Sequence, residues 1–250
     1  MDNSKELKLA VLIDADNIPY SNVKGMIEEI AKYGTPTFKR IYGDWTKPTL
    51  SGWKTVLLEN AITPIQQYSY TSGKNSSDSA LIIDAMDILY TGHVDGFCII
   101  SSDSDFTRLA TRLREAGMKV FGMGEKKTPT AFIASCNKFI YIEILQKEIK
   151  KPAPTKSISK EKLNKTASVS SIDNDLITLI SGSIDDIAEE DGWVFLGVLG
   201  NLILKKQPDF DSRNYGYKKL LDLIKNIDRL EIDERPSGKK NISHFYVRTK

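Results

Sequence analysis

The sequence predicts an α/β protein, a mostly parallel sheet covered by helices on both faces, followed by a small C-terminal winged helix-turn-helix domain. Three observations carry that expectation. Short apolar runs alternate with stretches of helical spacing over residues 7–145, joined by brief connections, and that pattern belongs to a parallel sheet with crossover helices. A stretch rich in lysine, serine and proline then breaks the hydrophobic pattern at 147–170. Beyond it come helix-like segments and two strand-like runs joined by a turn.

The elements follow in order. "LKLAVLI" (7–13) is a buried strand, and "YSNVKGMIEEIAKYG" (20–34) a helix with Gly34 as its C-terminal cap. "TPTFKRIYG" (35–43) is a strand, "TLSGWKTVLLENA" (49–61) a helix and "ITPIQQYSY" (62–70) a strand. "SDSALIIDAMDILYTG" (77–92) carries apolar residues at 81, 82, 85, 86, 89 and 90, the spacing of a long amphipathic helix. "GFCII" (96–100) is a strand, "SDFTRLATRLREAG" (104–117) a helix and "MKVFGMG" (118–124) a strand. "TPTAFIASC" (128–136) is a short helix and "FIYIEIL" (139–145) the last strand. In the second domain "IDNDLITLISGSIDDIAEE" (172–190) is a helix, and "WVFLGVLGNLILKKQPDF" (193–210) holds a short helix that breaks near Pro208. "RNYGYKKLLDLIKNI" (213–227) is a helix with Tyr217, Leu220, Leu221 and Ile224 on one face. "RLEIDERPSGKKNISHFYVR" (229–248) is a hairpin wing. The expected boundaries are 1–146, 147–170 and 171–250.

Composition removes several function classes. No apolar run approaches the ~20 residues that cross a bilayer, and "MDNSKELK" has no apolar core of a signal peptide. Cys98 and Cys136 lie in apolar segments and read as reduced core residues of a cytoplasmic protein, and with only His93 and His244 besides them a structural zinc is not expected. The net charge of +2 is unevenly spread. Residues 146–172 carry 7 lysines against 2 acidic residues, whereas 173–250 carry 12 basic against 14 acidic. The lysine-rich stretch is too polar to join a core and reads as a flexible tether, either simply solvated or also touching phosphates. The slight acidity of the last domain argues against a large nonspecific phosphate footprint there, although Lys205, Lys206, Arg213, Lys218, Lys219, Lys239 and Lys240 leave local basic groups.

The chemistry sits where parallel sheets keep it, at the carboxyl ends of the strands. Asp14, with Asp16 and Asn17 after it, ends the first strand; Asp103 and Asp105 follow "GFCIISS"; Asp78 opens the long helix, with Asp84 and Asp87 further along. Each alone has a plain structural use. Asp103 or Ser104 would cap the next helix, Asp78 would suit a helix N-terminus, and Asp14 would bond its own loop. Gathered at one edge, however, carboxylates repel and their pKa values rise unless a cation neutralises them. Oxygen-only ligands select a hard cation such as Mg²⁺ or Mn²⁺, which would activate water against a phosphodiester. A rival reading takes "DAD" (14–16) as an aspartyl-nucleophile phosphatase, against which stands Ile18 where that motif has Thr or Val. Lys74 in a glycine-containing loop is a candidate for a substrate phosphate, and Ser101 joins the substrate-binding candidates. Trp45 and Tyr70 are expected to stand exposed and stack on single-stranded bases, whereas Tyr42, Tyr68 and Trp53 are expected in the core.

"VLIDADNI", "GKNSSDSALIIDAMDILY" and "IISSDSDFTRLATRLREAGMKVFGMG" together resemble the NYN domain of the PIN-like nuclease superfamily, the LabA-type bacterial proteins included, over about residues 7–145. The resemblance implies a PIN-like α/β/α fold and metal-dependent RNA cleavage by an (endo)ribonuclease, with endo- against exonucleolytic action left open. It carries the family's first-strand aspartate to Asp14, its helix aspartate to Asp78 and its later pair to Asp103 and Asp105, as catalytic and metal-binding residues, and its asparagine to Asn17, as a substrate-binding residue. Asp16 falls where the motif is free. The family's Ser-Gly-Asp reads "SSD" here, with Ser102 in place of glycine. "WVFLGVLGNLILKKQPDFDSRNYGYKKLLDLI" resembles the OST-HTH/LOTUS domain, over about 172–248, which implies RNA or protein binding without catalysis. The expected partner is RNA, single-stranded or structured, and not a membrane; a protein partner of the last domain and a homodimer stay open. A noncatalytic RNA-binding regulator that retains the acidic pocket is the alternative function.

Overall fold

β1 (Lys8–Asp14) is a run of six buried residues after one exposed lysine, and a strand buried on both faces must lie inside a sheet. The computed structural model describes residues 6–68, 76–149, 170–188, 190–236 and 243–250. Contacts divide the chain into two units, at Met1–Ala153 and Pro154–Lys250. The lysine-rich stretch lies outside the described residues from 150 to 169, as do Tyr70 and Lys74.

In the first unit a single 3-10 turn (Tyr20–Asn22) leads into α1 (Val23–Ile30), and β2 (Thr35–Gly43) follows. A second such turn (Pro48–Leu50) precedes α2 (Trp53–Asn60) and the short β3 (Thr63–Gln66). α3 (Ser76–Thr91) returns to β4 (Gly96–Ile100). A turn at Ser104–Phe106 opens α4 (Thr107–Glu115), then come β5 (Lys119–Gly124), α5 (Thr130–Ser135), β6 (Lys138–Tyr141) and α6 (Ile142–Ile149). The six strands are parallel, in the order β3-β2-β1-β4-β5-β6. One apolar layer, with Val11, Met26, Ile30, Trp53 and Ile100, lies on one face; the other holds Leu12, Tyr42, Leu81, Ala85, Phe97 and Phe132. Helices thus cover both faces, as the alternating pattern requires.

In the first unit, four expectations need correction. Residues 142–145 are helical, not strand: β6 pairs with β5 only as far as Gly124 opposite Tyr141, so beyond that point the backbone has no ladder partner and must satisfy itself as a helix. Gly34 does not cap a helix, because α1 stops at Ile30 with Ala31 still right-handed. Its glycine serves a close approach instead: a Cβ there would meet the Leu7 carbonyl at 2.4 Å. Tyr68 is 57% exposed, not core, because the β2–β3 ladder ends at Gln66. Trp45 is half-buried rather than free, packed against the core with its indole N–H donating to the Ile65 carbonyl at 2.9 Å. Tyr42 and Trp53 are fully buried, as expected.

In the second unit, α7 (Asn174–Asp185), capped by the Asp173 side chain on the Leu176 N–H, buries Leu176, Ile180 and Ile184 from one stripe. α8 (Leu196–Lys206) adds Leu199 and Ile203. α9 is only Leu220–Ile224: Gly216 is left-handed at φ 87, so Tyr217 stands before the helix, and the buried pair is Leu223 and Ile224. The two strands of the wing, β8 (Leu230–Pro236) and β9 (Ser243–Thr249), are antiparallel, and β7 (Val194–Phe195) adds a third at the edge of β9. Residue 193 reads as helical in sequence, but the two residues after it form this strand because Val194 pairs with Val247 in the core.

Candidate functional site

The strand order reverses between β1 and β4, whose neighbours lie on opposite sides of the sheet. A crevice opens at the carboxyl ends of such a pair. The register sets Ile13 opposite Ile100, so the next residues, Asp14 and Ser101, leave the sheet side by side although they are 87 positions apart. Gly124 at the end of β5 lets the chain close in there; a Cβ would meet the Ser101 carbonyl at 2.5 Å. Ser102 is also bound into this corner, its hydroxyl accepting from the Glu125 N–H at 2.9 Å. The side chain that replaces the family's glycine therefore ties the β4 turn to β5.

Asp14 is buried at 1% exposure and heavily bonded. Its Oδ2 accepts from the Asn17 amide at 2.6 Å and from the Ser101 hydroxyl at 2.7 Å, and its Oδ1 from the Asp16 N–H at 3.1 Å. Burial raises its pKa, and the Ser101 and Asn17 bonds work against that rise. Ser101 is itself fully buried and also accepts from the Asp103 N–H at 3.1 Å. Through these two bonds it braces Asp14 against the Asp103 turn.

Asp78, Asp103 and Asp105 converge, with one carboxylate oxygen of each within 4.8 Å of the others. Asp78 is buried in the first turn of α3, Asp103 is half-buried and Asp105 exposed. The Asp103 side chain accepts from the Asp105 N–H at 2.9 Å, which caps the short turn and fixes both carboxylates on one side of it. Burial first, then the charges of Asp14, Asp103, Asp105 and Asp16, push the Asp78 carboxyl up to about 7. A helix N-terminus favours an ionised aspartate, yet here burial, together with the neighbouring carboxylates, wins. A donor set of carboxylate oxygens, strained by its own repulsion, fits a hard divalent cation.

Asp84 does not join this group. Two turns along α3, it is held by the Arg40 guanidinium and the Tyr42 hydroxyl. That contact raises the Arg40 pKa, and burial with the Asp84 contact raises the Tyr42 phenol. It locks α3 against β2 and so sets the helix that carries Asp78. Asp16 accepts from the Ser77 hydroxyl at 3.2 Å and pairs with Lys47 at 3.5 Å. Lys47 was missed in the sequence; the only local hint was its place two residues past the strand-end "YGDW", before Pro48. Lys74 and Tyr70 lie outside the described residues.

A parallel sheet with carboxylates gathered at its switch point is the class of α/β domain that holds a metal-type acidic site. The comparisons name the particular family. A family model for the NYN domain matches residues 8–143, and one for the OST-HTH/LOTUS domain matches residues 167–242. The chain belongs to the NYN family, with an OST-HTH/LOTUS domain after it. Comparison with curated proteins finds no match. Among solved structures, the chain is similar to a protein of unknown function from Vibrio parahaemolyticus, at 19% identity and TM-score 0.48, over 57% of this chain and 96% of that one. It is also similar to an uncharacterised protein from Nitrosomonas europaea, at 32% identity and TM-score 0.30, over 39% of this chain and 92% of that one.

Proposed function

We propose that the chain is a ribonuclease that cuts RNA phosphodiesters at a Mg²⁺ or Mn²⁺ held by Asp78, Asp103 and Asp105 beside Asp14, and that the C-terminal domain holds the RNA. One observation carries the reading: in an NYN domain, three carboxylates lie within 4.8 Å of one another at the switch point of the sheet. A cation held by Asp78, Asp103 and Asp105 would supply positive charge beside a phosphodiester and acidify a water. The chain's own part is positioning. Ser101 and Asn17 hold the Asp14 carboxylate in one orientation, and the Asp103–Asp105 turn holds two more. The Asp84 contact with Arg40 and Tyr42 keeps Asp78 at the same edge.

The OST-HTH/LOTUS match supports RNA as the partner of the second domain. Among the described residues no helix is long and apolar enough to cross a membrane. Two buried free cysteines support a reducing cytoplasmic setting. The boundaries 1–146, 147–170 and 171–250 belong to the same proposal, on composition.

Incubation of the full chain with labelled single-stranded and structured RNA and DNA tests the function. RNA is cleaved with Mg²⁺ or Mn²⁺ and not in EDTA, and Asp103→Asn loses about 100-fold or more of the rate while the circular dichroism spectrum is kept. Undiminished cleavage in EDTA, or by Asp103→Asn, removes the metal-nuclease reading.

A further inference from the structure

The turn after β2 is built more firmly than a connection needs to be. Asp44 is buried and accepts from the Thr46 N–H at 3.2 Å, the Thr46 hydroxyl at 2.6 Å and the Gln66 amide at 3.0 Å. Trp45 adds its backbone N–H on Gln66 Oε1 at 3.0 Å and its indole N–H on the Ile65 carbonyl at 2.9 Å. The Lys47 N–H closes the turn on the Asp44 carbonyl at 3.0 Å, and Pro48 holds Lys47 extended, at φ −75 and ψ 128. Lys47 thus starts from a fixed base, bolted to the end of β3.

From that base its ammonium reaches the carboxylate site. Nζ stands 3.5 Å from Asp16 Oδ1, and the other Asp16 oxygen takes the hydroxyl of Ser77, the neighbour of Asp78, at 3.2 Å. The Lys47 and Asp16 side chains are 40% and 35% exposed, so the pair borders the site and faces water. A polyanion that approaches crowded carboxylates is repelled unless cations meet its phosphates. Exposed ion pairs are weak, so a phosphate can take Lys47 from Asp16 at little cost.

We propose that Lys47 binds a backbone phosphate of single-stranded RNA at the edge of the carboxylate site, and that Asp16 holds the ammonium there until the phosphate displaces it. The substrate class rests on the nuclease reading; the contact does not require turnover. The test is fluorescence anisotropy of a labelled single-stranded RNA of about ten nucleotides on the full chain in EDTA, across a salt series. Lys47→Ala should raise Kd about fivefold and flatten the salt dependence by about 0.7 in log–log slope, one phosphate's worth. Lys47→Arg should keep both. Asp16→Asn should tighten binding while Lys47 is present and lose that gain in the Lys47→Ala background, which separates the contact from a general loss of negative charge. Mn²⁺ affinity, followed by calorimetry, should be the same in Lys47→Ala. An unchanged Kd and salt slope in Lys47→Ala would make the pair a surface contact and overturn the proposal. A wild-type chain that never cleaves RNA, yet whose RNA binding still depends on Lys47, would remove the nuclease reading and leave this contact standing.

Discussion

The two units use charge in opposite ways. At the edge of the NYN sheet, Asp78, Asp103 and Asp105 are turned toward one another, and Asp78 is pushed up to about 7. On the outer face of the wing sheet, each carboxylate meets an arginine. Arg235 bonds Asp233 at 2.8 Å and lies near Asp191, and Arg248 bonds Glu231 at 2.7 Å. The same arginines stack on rings: Arg235 lies 4.2 Å from the Tyr246 centroid and 5.5 Å from that of Trp193, and Arg248 lies 4.6 Å from that of Trp193. The pleat makes this possible, because Val194, Val247 and Leu230 point inward and leave Tyr246, Arg248 and Glu231 on the other face. One region keeps its carboxylates uncompensated and close together; the other is compensated by its own side chains. Repulsion kept at one place in an otherwise consistent fold marks function, whereas paired charge reads as stability.

After the carboxylates themselves, the largest effect should come from the brace behind them. Ser101→Ala removes one donor from Asp14 and one acceptor from the Asp103 turn, so Mn²⁺ affinity and RNA cleavage should fall about 10- to 100-fold. Ser101→Thr keeps the hydroxyl and should restore the bond; Mn²⁺ titration and cleavage rates check both. Equal metal affinity in Ser101→Ala would show that Asp14 needs no brace. On the compensated side, Trp193→Ala removes the ring between two arginines and should lower the denaturant midpoint of the second unit. EDTA should not change that effect.

A pH titration sharpens the contrast. The Asp78 carboxyl goes from 3.8 in the unfolded chain to about 7 in the folded one, so the folded state holds an extra proton between those values. Stability of the metal-free protein should therefore fall as pH rises from about 4 through about 7. Asp78→Asn should flatten that slope, and so should saturating Mg²⁺; thermal melts from pH 4 to 8 measure it. A slope that survives in Asp78→Asn would put the proton elsewhere. The smallest effect is a backbone one. Ala61, which ends α2, is left-handed at φ 49, a conformation that suits glycine. Ala61→Gly should raise stability by about 0.5 kcal/mol with no change in cleavage.

The sequence by itself determined most of the elements, their order and the edge at which the acids gather. Those properties are local: an apolar run such as Leu9–Ile13 reads as a buried strand wherever it pairs, and Asp14 follows it whatever its neighbours. Asp78 is placed by its position in the first turn of α3, and Asp103 and Asp105 by the cap that follows β4. Only the tertiary structure decided which side chains meet across long separations. Ser101 reads as one more polar residue until the β1–β4 register sets it beside Asp14, 87 positions away. Asp84 is one acid among several on α3 until Arg40 and Tyr42 take it. Residues 142–145 suit either a strand or a helix, and the choice fell to the point where β5 stops offering partners. Periodicity encodes which face a residue presents; it does not encode what stands opposite, and the function of a buried polar group depends on that partner.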